Sequence, residues 1–132
     1  MRSYIGPGAL AASAMLFSAM LFSAMPLAAD EPSVLDVSAS ANADGTYAFH
    51  ATVSHRDEGW KHYVDKWEIV TPEGQVIGTR TLYHPHVDEQ PFTRSLSRVA
   101  VPIGTTQVTV HAYCNVTGVG ARTFTVKLPP RK

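Results

Sequence analysis

Six histidines and one cysteine carry most of the metal-binding chemistry this sequence offers: His50, His55, His62, His84, His86, His111 and Cys114. Three groupings stand out. His55 and His62 flank a polar segment containing Gly59, so two imidazoles at the ends of adjacent strands could converge on one metal across a loop; otherwise they are solvated loop residues. Cys114 lies in Ala112-Tyr113-Cys114-Asn115, just before a glycine turn. A thiolate there is a strong, charge-donating ligand that must be deprotonated to bind. The competing role is a small buried apolar side chain, because Cys114 shares a strand face with Val108 and Val110. In His84-Pro85-His86, followed by Asp88 and Glu89, residues two apart in an extended chain point the same way. Such a nitrogen and oxygen set (His84, His86 and Glu89) suits Zn or Cu(II) better than iron, the alternative being a proline-rich loop with exposed rings.

The elements that must position these groups are strands. Thr46 to His55 alternates, with Tyr47, Phe49, Ala51 and Val53 on one face, the period of a half-buried strand. Thr106 to Asn115 does the same through Val108, Val110, Ala112 and Cys114. Further strands are predicted at Val34 to Ala41, Tyr63 to Thr71 with Trp67 and Ile69 inward, and Val76 to Tyr83. Phe92 to Val101 is strand-like but irregular, and Arg122 to Leu128 closes the set. Asn42-Ala43-Asp44-Gly45, Pro72-Glu73-Gly74-Gln75 and Thr117 to Gly120 read as turns. No segment has a helical period. About seven strands at this spacing predict an all-β, immunoglobulin-like antiparallel sandwich without the inter-sheet disulfide of antibody domains.

Ahead of the strands, Arg2, an apolar run from Ala9 to Met25 and small residues up to Ala29 form a secretory pattern. Cleavage after Ala29 is expected, giving a signal peptide over 1–29, one domain over 30–132, and a periplasmic or secreted product. No Cys follows the apolar run, which speaks against a lipid anchor, and no membrane association is expected after cleavage. Residues 30–132 hold ten basic and eleven acidic side chains. Such a balance generates no field for nucleic acid or an anionic membrane surface. All four methionines, Met1, Met15, Met20 and Met25, precede the domain, which argues against a thioether-rich Cu(I) carrier. Phosphate-binding glycine loops and a serine nucleophile elbow are absent.

Taken together, His55-Arg56-Asp57, then Lys61-His62-Tyr63-Val64 with Trp67, then Tyr113-Cys114-Asn115-Val116-Thr117-Gly118 resemble the motifs of the superoxide reductases. These are the neelaredoxins and the iron domain of desulfoferrodoxins, with His-Pro-Met, Lys-His-Tyr-Ile and Tyr-Cys-Asn-x-His-Gly. The similarity covers most of Tyr47 to Phe124. It implies a ferrous centre with equatorial imidazoles, an axial thiolate and an open position where superoxide is reduced to hydrogen peroxide, with electrons from a small redox donor. On that likeness His55 and His62 are metal ligands, Cys114 the axial ligand, and Lys61 the catalytic cation that attracts superoxide. The departures are specific. Thr117 stands where the family has a ligand histidine, no histidine lies between Asp30 and Tyr47, and Arg56-Asp57 replaces Pro-Met. Trp67 lies one residue further from His62 than in the pattern, which predicts a bulge. Three of five ligands survive, with His84, His86 or, least well placed, His111 as replacements. The bland alternatives are a sandwich that has lost its iron and a metal-free module that recognises a protein partner.

Overall fold

The computed structural model describes residues 31–132, and the expected leader and its cut after Ala29 lie outside them. Eight strands form two antiparallel sheets: β1 (Ser33–Ala41), β2 (Tyr47–Ser54), β3 (Val64–Val70), β4 (Val76–Thr81), β5 (Phe92–Val99), β6 (Gln107–Cys114), β7 (Gly118–Val119) and β8 (Phe124–Lys127). One sheet runs β1-β2-β5; the other runs β4-β3-β6, with β7 and β8 both pairing β6. This is the all-β sandwich expected from the alternation. Among the described residues no helix is long and apolar enough to cross a membrane.

The core forms between the inner faces because the alternating residues are large on one side of each strand. Phe49, Ala51 and Val53 of β2 meet Trp67 and Ile69 of β3 and Val108, Val110 and Ala112 of β6, all essentially without solvent contact. Trp67 is fully buried in this core, with no disulfide beside it among the described residues. Its indole N–H has no hydrogen-bond partner. Burying each such side chain contributes about 1.5–3 kcal/mol, the main force holding the sheets together. Tyr47 is buried too, and its hydroxyl donates to the Pro129 carbonyl at 2.6 Å, fastening the C-terminal segment over one end.

Two irregularities set side chains that simple alternation would misplace. Val64 and Trp67 are an odd number of residues apart, yet both face the core. The pairing of β3 with β6 slips between Val64 and Lys66, and this bulge, anticipated from the Trp67 spacing, turns both inward. In β5 the pairing with β2 slips between Tyr47 and Phe49, opposite Arg98, a non-glycine residue at φ 56°. That accounts for the irregular pattern after Phe92.

The segment Thr117 to Gly120, read as a turn, contains the short strand β7 instead. β7 and β8 are one edge of the sheet interrupted near Gly120, whose N–H donates to Ala112 O at 3.0 Å. Pro32 packs so closely there that a side chain at residue 120 would collide with its carbonyl group.

Candidate metal centre

At one end of the sandwich the β2–β3 connection, the β6–β7 turn and the segment after β4 come together. His55 follows the last residue of β2, His62 precedes β3, and Cys114 ends β6. The register pairs Val64 with Cys114, which brings the sulfur beside the start of β3. One potential ligand atom from each of His55, His62 and Cys114 lies within 4.8 Å of the other two. A tetrahedral set of 2.0–2.3 Å bonds spaces ligand atoms roughly 3.3–3.8 Å apart, so the widest pair would close by about 1 Å around a metal. The His55 and His62 rings stand edge to face with centroids 4.9 Å apart. Two imidazoles on one metal, at 2.0–2.1 Å bonds and angles of 90–110°, hold their centroids about 4.5–5.2 Å apart.

Each imidazole is oriented by a carboxylate. His55 Nδ1 donates to Asp57 Oδ1 at 2.6 Å, and both side chains are completely buried. His62 Nδ1 donates to Glu58 Oε1 at 2.8 Å. A carboxylate on Nδ1 fixes the tautomer and directs the Nε2 lone pair outward, the arrangement that accompanies histidine ligation of metals. His62 Nε2 is buried and has no hydrogen-bond partner, a costly state that a cation would relieve. The residues therefore fit a metal: two oriented nitrogens, one of them buried without a partner, and one sulfur.

Cys114 is buried, ending the apolar row Val108, Val110 and Ala112, so core packing and ligation are both open to it. Its Sγ accepts the Val116 N–H at 3.4 Å. Asn115 clamps the sulfur's turn to the histidine loop. Its Oδ1 accepts from Tyr63 N at 2.9 Å, its Nδ2 donates to Trp60 O at 3.2 Å, and its own N–H donates to Tyr63 O at 3.1 Å.

Asp57, Gln90 and Asn115 hold the site together; Asp57 and Asn115 enter the sequence reading only as motif positions without a role, and Gln90 not at all. Asp57 Oδ1 also accepts from Val64 N at 3.1 Å, and Oδ2 from His86 N at 2.8 Å. Burial works to raise its pKa, but the hydrogen bonds from His55 and from the His86 and Val64 N–H groups outweigh it, leaving Asp57 below the ordinary carboxylate range. Gln90 Oε1 accepts from His55 N at 3.0 Å while its Nε2 donates to His86 O at 2.9 Å. The only local signal for these roles was the carboxylate two residues after His55.

The other candidates sit elsewhere. Lys61 is exposed on the turn before His62. His111 lies in β6 opposite Glu68, on the strand face away from Cys114. His84 and His86 are neighbours, with ring centroids 4.8 Å apart, but Glu89 is drawn aside by Arg94 at 3.0 Å. His86 is buried and stacks on Phe92 at 3.9 Å. Its pKa is pushed down by burial first, then by the charges of Arg94 and His84, against the opposing pull of Glu89 and Asp57.

That depression carries a stability consequence. The unfolded chain takes up a proton near pH 6.5, while the folded state resists it, so the contribution is complete above pH 6.5 and is lost as pH falls through the folded value. We expect the melting temperature of metal-free protein to fall between pH 7.5 and 5, and His86→Phe, which keeps the stack on Phe92, to flatten that slope. Equal slopes for the two proteins in circular dichroism melts would rule His86 out as its source.

No protein-family model matches the chain. No solved structure matches it. A protein of Halomicrobium mukohataei described as "Putative lipoprotein" is 35% identical over 96 residues, 73% of this chain and 47% of that protein. The chain therefore spans about half the length of that relative. By fold and site, this is an antiparallel β-sandwich whose rim gathers a two-histidine, one-cysteine group able to hold a metal ion.

Proposed function

We propose that this chain is an exported mononuclear metal protein of superoxide-reductase type, with His55, His62 and Cys114 as the protein ligands. The convergence of these three side chains within 4.8 Å carries the reading. They come from two distant stretches of chain, and the imidazoles arrive already oriented by Asp57 and Glu58. Thiolate with imidazole suits iron, zinc or copper, and the motif resemblance favours Fe(II). Fe(II) held there would supply the one electron that, with two protons from solvent, takes superoxide to hydrogen peroxide, and a small redox donor would return the iron to Fe(II). Three protein ligands leave positions for a small molecule, and Lys61, exposed on the turn before His62, is the cation this reading assigns to attract an anion. The leader-like first 29 residues and the description of the Halomicrobium mukohataei relative both fit an exported protein.

Metal analysis and visible spectra of protein purified without oxygen test this. One iron per chain and a sulfur-to-iron charge-transfer band on oxidation are expected, with Cys114→Ser abolishing the band. Iron content and colour unchanged in that variant would overturn the proposal. Copper or zinc at one equivalent in place of iron would keep the centre but remove superoxide reduction.

A further inference from the structure

Beside this centre, and separate from it in its ligand atoms, an open cleft of about 570 Å³ lies between Trp60 and the segment from His84 to Glu89. His86 forms part of its wall. The side chain is only 3% exposed, and both ring nitrogens are buried without a hydrogen-bond partner. Leaving one such atom unpaired costs about 1–3 kcal/mol, so the site is built as though something else completes it. Its position is not accidental: the backbone N–H is held by Asp57, the backbone carbonyl by Gln90, and the ring face by Phe92. Opposite it, His84 is exposed, and its Nδ1 donates to Pro85 O at 3.2 Å, which leaves the lone pair on Nε2. The 4.8 Å between the two ring centroids falls in the interval of about 4.5–5.2 Å set by two imidazoles on one metal. Glu89 is held by Arg94, which leaves Asp88 as the other carboxylate lining the cleft.

We infer that this cleft is a second metal site, in which His84 and His86 bind a divalent cation of the Zn(II) or Cu(II) class, with Asp88 and water completing the coordination. A nitrogen and oxygen donor set without sulfur suits these ions. The rigidly held, buried His86 sets the position, and the exposed His84 closes over the ion from the solvent side. The site does not depend on Cys114, and its existence does not require that the first centre hold iron.

The test separates the two sites by disabling the first. In a His62→Ala, Cys114→Ser background, calorimetric titration with Zn(II) is expected to show one equivalent bound. Adding His84→Ala, an exposed position whose loss leaves the core intact, should weaken that binding at least tenfold. Cu(II) in the same background should give electron paramagnetic resonance hyperfine structure from two nitrogens. Absence of Zn(II) binding in the background protein, or affinity unchanged by His84→Ala, would overturn the inference. So would a sulfur-to-metal band in the otherwise unaltered chain that disappears with His84→Ala, because His84 would then belong to the first centre.

Discussion

Replacing Asp57 with alanine should lower the melting temperature by roughly 10–20 °C and weaken metal binding by about 10–100-fold. The carboxylate is fully buried and accepts from three donors: the His55 ring, Val64 N and His86 N. Removing a buried charged partner while its donors stay buried costs about 3–5 kcal/mol, several times a surface ion pair. The stability loss comes from all three donors, whereas the affinity loss at the centre with Cys114 comes only from His55, whose ring would lose both tautomer and direction. Glu58→Ala separates the two effects. Glu58 is exposed and engages only His62, so its removal should leave thermal stability nearly unchanged while still reducing affinity. Thermal melts alongside metal titration of both variants decide this. An Asp57→Ala protein as stable as the parent would show that the carboxylate is not the tie between the loops.

The same residue fixes a second acid transition. Because its folded pKa is depressed, Asp57 stabilises the native state above its ordinary value near 3.8 and ceases to do so as pH falls through the lower folded value. Stability should therefore fall with acid in two pH windows, the milder one set by His86 and the lower one by Asp57.

Why the strands could be read from sequence while the ties between loops could not is a matter of range. Tyr47, Phe49, Ala51 and Val53 announce their face within eight residues, because a strand's period is local. His55, His62 and Cys114 could be named as candidates because each lies at a strand end, where a side chain can leave the core row. Asp57 is different. Its partner His86 is 29 residues away, and a carboxylate in a polar loop carries no mark of being buried. The close approach at the split between β7 and β8 was equally hidden, since it brings Gly120 against Pro32, some 88 residues earlier in the chain. Nor could alternation tell whether Cys114 is core or ligand, because the final residue of an inward row is both buried and at the rim.

Gly120 tests that hidden contact directly. A Cβ placed there would lie 2.0 Å from the Pro32 carbonyl oxygen and 3.0 Å from its carbonyl carbon and Cγ. Pro32 is itself fully buried, and the neighbouring chain is pinned by hydrogen bonds from Ala121 N to Glu31 Oε1 and from Val34 N to Arg122 O, each 2.9 Å. No flexible side chain can move aside, so Gly120→Ala must push two backbones apart at the seam where β1 meets the second sheet. Overpacking of this kind typically costs 1–3 kcal/mol, and against backbone the upper end, about 3 kcal/mol, is expected. That corresponds to a fall of roughly 10–20 °C in melting temperature for a domain of this size. Gly118 provides the contrast: it adopts φ 79° with open space around its Cα. Gly118→Ala should therefore cost only the conformational penalty of about 1–2 kcal/mol. The comparison asks whether space or backbone conformation governs this edge, and a Gly120→Ala protein that melts as high as Gly118→Ala would show that Pro32 yields.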